Sequence, residues 1–276
     1  MQRLFLYFII LFLFSCSKDK TIYSVKGTIV SIDSEKEKVV IAHDTIRGLM
    51  EPMIMPFFVP ELHDRSNLKI GDSVHFQFVW NDSLPFARNF KNVGIGIIPE
   101  FDDFWQDEFS MKQIGQRFDD VTLLTIDSNN VNLSDSDGKF RFLSFIFTQC
   151  PMPNMCPMVI IKNQGLVNQF PDTSILDFIL VSFDYKYDTP SILKTHYGSL
   201  ENEFNNMFFW SSTGHIEDVY KLISQCGGKF WGVEERKIGH DLVSVLISPE
   251  RKLLAYWRGD DWSVNDVSNM IKVFIK

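Results

Sequence analysis

The sequence predicts an α/β domain preceded by a smaller all-β domain. Three observations predict this. From about Phe118 onward, apolar strands alternate with helical patterns, the order that builds a sheet flanked by helices. Residues 24–98 instead carry short β-branched and aromatic runs separated by turn signals, the pattern of a small closed barrel. Between the two lies an acidic stretch, residues 99–117, with no strand pattern, which reads as a linker. The chain has 276 residues, a hydrophobic fraction of 45% and 26 phenylalanines. That is enough apolar material for two cores and favours β-rich packing. A formal net charge of -8 gives no electrostatic support for nucleic-acid binding.

The chain opens with "MQRLFLYFIILFLFSC". Arg3 supplies a short basic start. Leu4 to Phe14 is an apolar run of 11 residues, short for a membrane span and suited to a signal-peptide core. The ending Leu13-Phe14-Ser15-Cys16, followed by polar residues, resembles a bacterial lipobox. That resemblance implies a signal peptide over residues 1–15, a lipidated Cys16, and a membrane-anchored protein facing the periplasm or exterior.

In the β-rich module, "SVKGTIVSID", "KVVIA", "DSVHFQFVW" and "FKNVGIGII" read as strands. The unusual segment is "AHDTIRGLMEPMIMPFFV", which brings His43, Met50, Met53 and Met55 within thirteen residues. On a strand Met53 and Met55 share a face. Thioether and imidazole donors without carboxylate suit Cu(I); the alternative is that the methionines simply fill a core. His63 and His75 read as ordinary surface or strand residues.

In the α/β module, "KFRFLSFIF" and "ILDFILVSFD" read as buried strands. "PMVIIKNQGLVNQF", "TPSILKTHYG", "IEDVYKLISQC" and "SVNDVSNMIKVFI" read as helices. "HDLVSVLIS" and "KLLAYWRG" form a hairpin around Pro249-Glu250, with His240 at its start. Cys226, before Gly227-Gly228, reads as a small buried thiol. Asp188-Thr189-Pro190 reads as a helix cap, with a contact near the functional site as the alternative.

The chemistry concentrates in "FIFTQCPMPNMCPMV", residues 145–159. Cys150 and Cys156 fall where a central strand ends and a helix begins, the place where open α/β sheets put their sites. Pro157 suits a first helical turn. Cys156 at the helix N-terminus is therefore expected to favour its thiolate. Met152 and Met155 are expected to pack. The pair has two chemical readings, copper binding and thiol–disulfide exchange.

This loop, together with "LVSFDYKYDTPSILKTHYG" and "IGHDLVSVLISPERKLLAYWRGDDW", resembles the Sco/SenC family of copper chaperones over about residues 118–276. The resemblance implies a thioredoxin-like fold and a copper site made by Cys150, Cys156 and His240. It also implies as partner the copper-binding subunit of cytochrome c oxidase or its assembly factors. The chain departs from the commoner family spacing, having five residues between the cysteines where that spacing has three. The methionine segment and its flanks resemble the CusF-like periplasmic copper-binding domain over about residues 24–80. This implies an OB-like barrel, here bounded as residues 22–98, with His43, Met50, Met53 and Met55 as a second copper site. No Trp lies between His43 and Met55, whereas some relatives cap the metal with one. The expected function is an exported copper metallochaperone holding Cu(I) or Cu(II). The alternatives are a thiol–disulfide oxidoreductase and a copper-tolerance protein without an oxidase client. A peroxidase frame, a Walker loop and a dinucleotide fingerprint are absent.

Overall fold

The computed structural model describes residues 20–50, 52–81, 84–98, 110–228, 230–234, 237–240, 242–259 and 262–275, with backbone alone for 230–234 and 237–240. Cys16, the expected signal peptide and residues 99–109 of the expected linker lie outside the described residues.

The first domain is built from β1 (Thr21–Asp33), β2 (Lys38–His43), β3 (Met53–Phe58), a short α1 (Leu62–Ser66), β4 (Asp72–Trp80) and β5 (Phe86–Ile95). All their pairings are antiparallel. Alternation of apolar residues dictates which face is inside: Val39, Ile41 and His43 of β2 are buried, with half-buried residues between them. Met53, Met55 and Phe57 of β3 are likewise buried. Phe57 makes edge-to-face contacts with Phe76 and Phe78, each at 5.1 Å between ring centroids, and these rings form the centre of this core.

The second domain contains β6 (Thr122–Thr125), β7 (Asn130–Asn132), β8 (Phe140–Ile146), α2 (Cys156–Val167), β9 (Leu176–Ser182), α3 (Pro190–Glu203), β10 (Met207–Ser211) and α4 (Ile216–Gln225). It continues with β11 (Phe230–Glu234), β12 (Lys237–His240), β13 (Val243–Ile247), β14 (Leu253–Arg258) and α5 (Val264–Phe274). Its sheet has the order β14-β13-β8-β9-β10-β6-β7. The central β8, β9 and β10 are parallel. They are joined by α2 and α3, which explains why β8 and β9 read as unbroken apolar runs: both faces are covered. The β13–β14 hairpin turns where Pro249-Glu250 indicated, with Arg251 in the left-handed region at φ 60.

Three features of the structure lie outside what the sequence pattern indicates. First, no β3–β5 ladder closes the first sheet among the described residues, although β3 and β5 approach one another. The edge of β3 is taken instead by β12, giving the order β11-β12-β3-β2-β1-β4-β5. A hairpin that belongs by sequence to the second domain is therefore paired into the sheet of the first. Second, residues 110–117 of the expected linker adhere to the second domain. Lys112 N–H donates to Gln225 O at 3.0 Å and Gly115 N–H to Leu253 O at 2.8 Å. Third, His240 ends a strand of its own, β12, rather than beginning the hairpin strand; β13 starts at Val243.

Candidate metal centres

The first centre forms where β2 meets β3. Their antiparallel register sets His43 opposite Met53 and Ile41 opposite Met55. On the other side His43 faces Gly27 of β1. A Cβ on Gly27 would lie 2.6 Å from Ile41 Cγ2 and 2.7 Å from Ala42 O, so glycine is what lets the strands close here. The connecting loop doubles back: Ile46 N–H donates to Met50 O, and Leu49 and Met50 N–H both donate to Ile46 O. Gly48, at φ +76, makes that turn without strain. The loop thereby returns Met50 to the core, 7% exposed; Met53 and Met55 are 6% and 0% exposed.

His43 is 2% exposed. Its Nδ1 lies 2.7 Å from Asp44 O. A carbonyl only accepts, so Nδ1 carries the proton and Nε2 keeps its lone pair. Nε2 is buried and has no hydrogen-bond partner. Burial lowers the His43 pKa to about 4, against a smaller upward effect of Asp44. The imidazole is therefore neutral at ordinary pH. A buried, neutral, unpartnered nitrogen on a residue paired with Met53 fits a soft monovalent metal, which would satisfy the orphan atom. A cavity of about 100 Å³ opens beside it, lined in part by His43, Asp44, Met53, Ile54 and Ile97.

The second centre lies beyond the end of β8. Phe147 is buried, and Thr148 and Gln149 lead to Cys150, which is half-buried; Cys156 opens α2 and is 1% exposed. Both thiols are free. The Cys156 thiol reaches Cys150, and this hydrogen bond lowers the Cys150 pKa. Burial pushes Cys156 up, reinforced by its neighbour. The expectation that Cys156 would be the favoured thiolate is thereby reversed. A helix terminus contributes only about 0.3–1 kcal/mol, and removing a thiolate from water costs more. Met152 and Met155, 3% and 4% exposed, pack as core. Among the described residues no three His, Cys, Asp or Glu side chains cluster as a metal site.

The backbone brings His240 to this end of the sheet. β13 runs antiparallel to β8, pairing Ser244 with Ser144, so the segment entering β13 lies beside the segment leaving β8. His240 precedes Ser244 by four residues and Cys150 follows Ser144 by six. The direction of the His240 side chain is not among the described features.

Asp188 does something its sequence context concealed. The N-cap of α3 is Thr189, with no side-chain capping bond. The Asp188 carboxylate is buried, and accepts from Thr148 N–H at 2.9 Å, from the Thr148 hydroxyl, and from Ser182 Oγ at 2.5 Å. It ties the loop carrying Cys150 to the end of β9. Sequence reasoning missed Thr148 and Ser182 in this clamp; the only signal was their position at the ends of two apolar strands. Asp184 shapes the adjacent loop by accepting from Lys186 and Tyr187 N–H at 3.1 and 2.9 Å. Cys226 is fully buried and burial raises its pKa, as a structural thiol. His63 is exposed and His75 lies on β4 near it, apart from the residues of either centre.

Comparison with known proteins divides the chain as the fold does. Residues 22–85 match the family model of the copper binding periplasmic protein CusF, and residues 106–276 match that of SCO1/SenC. Over 71 residues the chain is 34% identical to the cation efflux system protein CusF of Escherichia coli (strain K12), covering 25% of this chain and 64% of that protein. The chain thus spans a little under two thirds of the curated relatives it matches. The crystal structure of a SCO1/SenC family lipoprotein from Bacillus anthracis str. Ames superposes with a TM-score of 0.51 at 17% identity, covering 60% of this chain and 100% of that one. An electron transfer protein from Aquifex aeolicus VF5, so described provisionally, superposes with a TM-score of 0.50 at 23% identity, covering 58% and 94%. These likenesses establish the thioredoxin-like fold of the second domain.

Proposed function

Because the chain belongs to the SCO1/SenC family, we propose that it is a copper metallochaperone with two centres, one of thioethers and imidazole and one of thiolates. The observation that carries the reading is His43 Nε2: a buried imidazole nitrogen, neutral and without a partner, on a residue paired across the strands with buried Met53. Thiol–disulfide chemistry has no use for such a group, whereas Cu(I) as cargo gives it a bond. In this reading His43, Met50, Met53 and Met55 hold one Cu(I). Cys150, Cys156 and His240 hold the second, with the Asp188 clamp fixing the loop geometry. The copper subunit of cytochrome c oxidase, or a factor that assembles it, is the proposed recipient, by extension from the family.

An envelope location is supported by the periplasmic CusF family and by the lipoprotein among the structural neighbours. Anchoring through a lipid on Cys16 is the finer proposal. Two copper-handling units, residues 22–98 and 118–276, with a connecting stretch between them, complete the reading. A second reading, thiol–disulfide exchange, draws support from one observation: a half-buried Cys150 with a lowered pKa, backed by a fully buried Cys156, the arrangement of an attacking and a resolving thiol.

Anaerobic titration with Cu(I) against a competing chelator separates the readings. The protein is expected to bind two equivalents. Met53→Leu with Met55→Leu should leave one, and Cys150→Ser with Cys156→Ser should leave the other. Undiminished stoichiometry after the methionine substitutions would make those residues core filler.

A further inference from the structure

We propose that Cu(I) passes from the methionine centre to the cysteine pair inside one molecule, across the junction where β12 lies on β3. The inference rests on the two-centre reading above and adds a route and a direction to it. β12 runs parallel to β3, with Ile238 opposite Met53 and Gly239 opposite Ile54. His240 is the next residue, so the backbone sets it level with Met55. The strand bearing the histidine assigned to the second centre is therefore paired with the strand bearing two sulfurs of the first. From His240 the chain needs only Asp241 and Leu242 to reach β13. There Ser244 pairs with Ser144, on the strand that leads to Cys150. One run of seven residues, 238–244, thus connects the two sheets, with one centre on each side of it.

A second observation locates the exit. The cavity of about 100 Å³ beside His43 is bordered by Met53 and Ile54. Those are the two residues of β3 that β12 faces. The cavity, whose other walls are Thr28, Ala42, His43, Asp44 and Ile97, and the edge on which β12 docks thus share Met53 and Ile54.

The direction follows from the donors. Imidazole and thioether are neutral; the cysteine pair offers anionic sulfur, which soft Cu(I) prefers. In the transfer, bonds from copper to His43 Nε2 and the methionine sulfurs break. Bonds to Cys150 and Cys156 Sγ form, and the thiol protons leave to water. Copper stays Cu(I) and no electron moves. Tethering two sites through a short connection gives effective concentrations of about millimolar, so the internal route outcompetes exchange between dilute molecules.

The test uses the full chain carrying ¹³C-methyl methionine. Cu(I) is supplied at half an equivalent, and the Met53 and Met55 methyl signals are followed beside the ultraviolet absorption of copper bound to thiolate. The methionine signals are expected to shift first and then recover as the thiolate band grows. The rate of that recovery should be independent of protein concentration. Gly239→Pro removes a β12 N–H from the ladder without touching a ligand. It should slow the recovery at least tenfold and make it concentration-dependent. It should also speed hydrogen exchange of the Met53–Met55 amides. A wild-type rate that rises in proportion to protein concentration overturns the internal route, and this measurement needs no variant. An unchanged rate in Gly239→Pro with accelerated exchange at β3 overturns the role of the junction. If the methionine signals fail to shift even in Cys150→Ser with Cys156→Ser, the first centre does not bind copper and the two-centre reading fails along with the route.

Discussion

His43 exchanges a solvated ring for burial against Phe57, whose ring centroid lies 5.5 Å away edge-on. The exchange leaves a pH signature. Above about pH 6.5 the ring is neutral whether the chain is folded or not. Between there and the folded value of about 4, only the unfolded chain takes up the proton. Stability therefore falls as pH drops through that window and loses nothing further from this group below it. A shift of this size corresponds to roughly 3 kcal/mol. Urea unfolding of the protein and of His43→Leu, compared at pH 7 and pH 4, should show the loss in the parent and its absence in the variant; parallel curves would mean the ring is not buried as described. At this scale the period-two pattern made the shared face of Met53 and Met55 legible, whereas their alignment with His43 depends on the β2–β3 register. Asp188 was not legible as a clamp. Asp-Thr-Pro carries every local mark of a helix cap, while its acceptor role depends on Thr148 and Ser182, which are distant or unremarkable in sequence.

The loop between β8 and α2 leaves one thiol half-buried and the other fully buried. Helix α2 holds Cys156 in its first turn, where Pro157 costs no hydrogen bond, and Met152 and Met155 of the loop are buried. Alkylation of the reduced, metal-free protein should therefore label Cys150 at least tenfold faster than Cys156 or Cys226, since both accessibility and ionisation favour it. Peptide mass spectrometry would check this, and preferential labelling of Cys156 would restore the helix-terminus argument. Elements were legible in proportion to how far their own residues decide them. The apolar runs of β8 and β9 announce strands covered on both faces. β10, a short run between two helices, passed unnoticed. β11 and β12, "FWGVE" and "KIGH", carry no clean alternation; β12 gains a partner for its second edge only from β3 of the other domain.

At the scale of the molecule, the change from a β-rich to an α/β pattern was visible in the sequence, and two family models match separate stretches, residues 22–85 and 106–276. The union of the two sheets was not visible, because pairing between distant segments leaves no trace in the periodicity of either. That union also governs how the molecule keeps its own kind at a distance. With β12 in place, the exposed rim of β3 is covered along Met53 and Ile54, and two residues beyond Ile54 the strand meets Pro56, which has no N–H to offer. A chain cut after residue 98 loses the cover and keeps the rim. Bare strand edges recruit other strands, so such a fragment should sediment as a dimer or larger where the parent does not, and Ile54→Lys in the fragment should return it to a monomer. The hairpin thus acts as a built-in chaperone for the first domain: by occupying β3 itself, it denies that strand to every other copy of the chain.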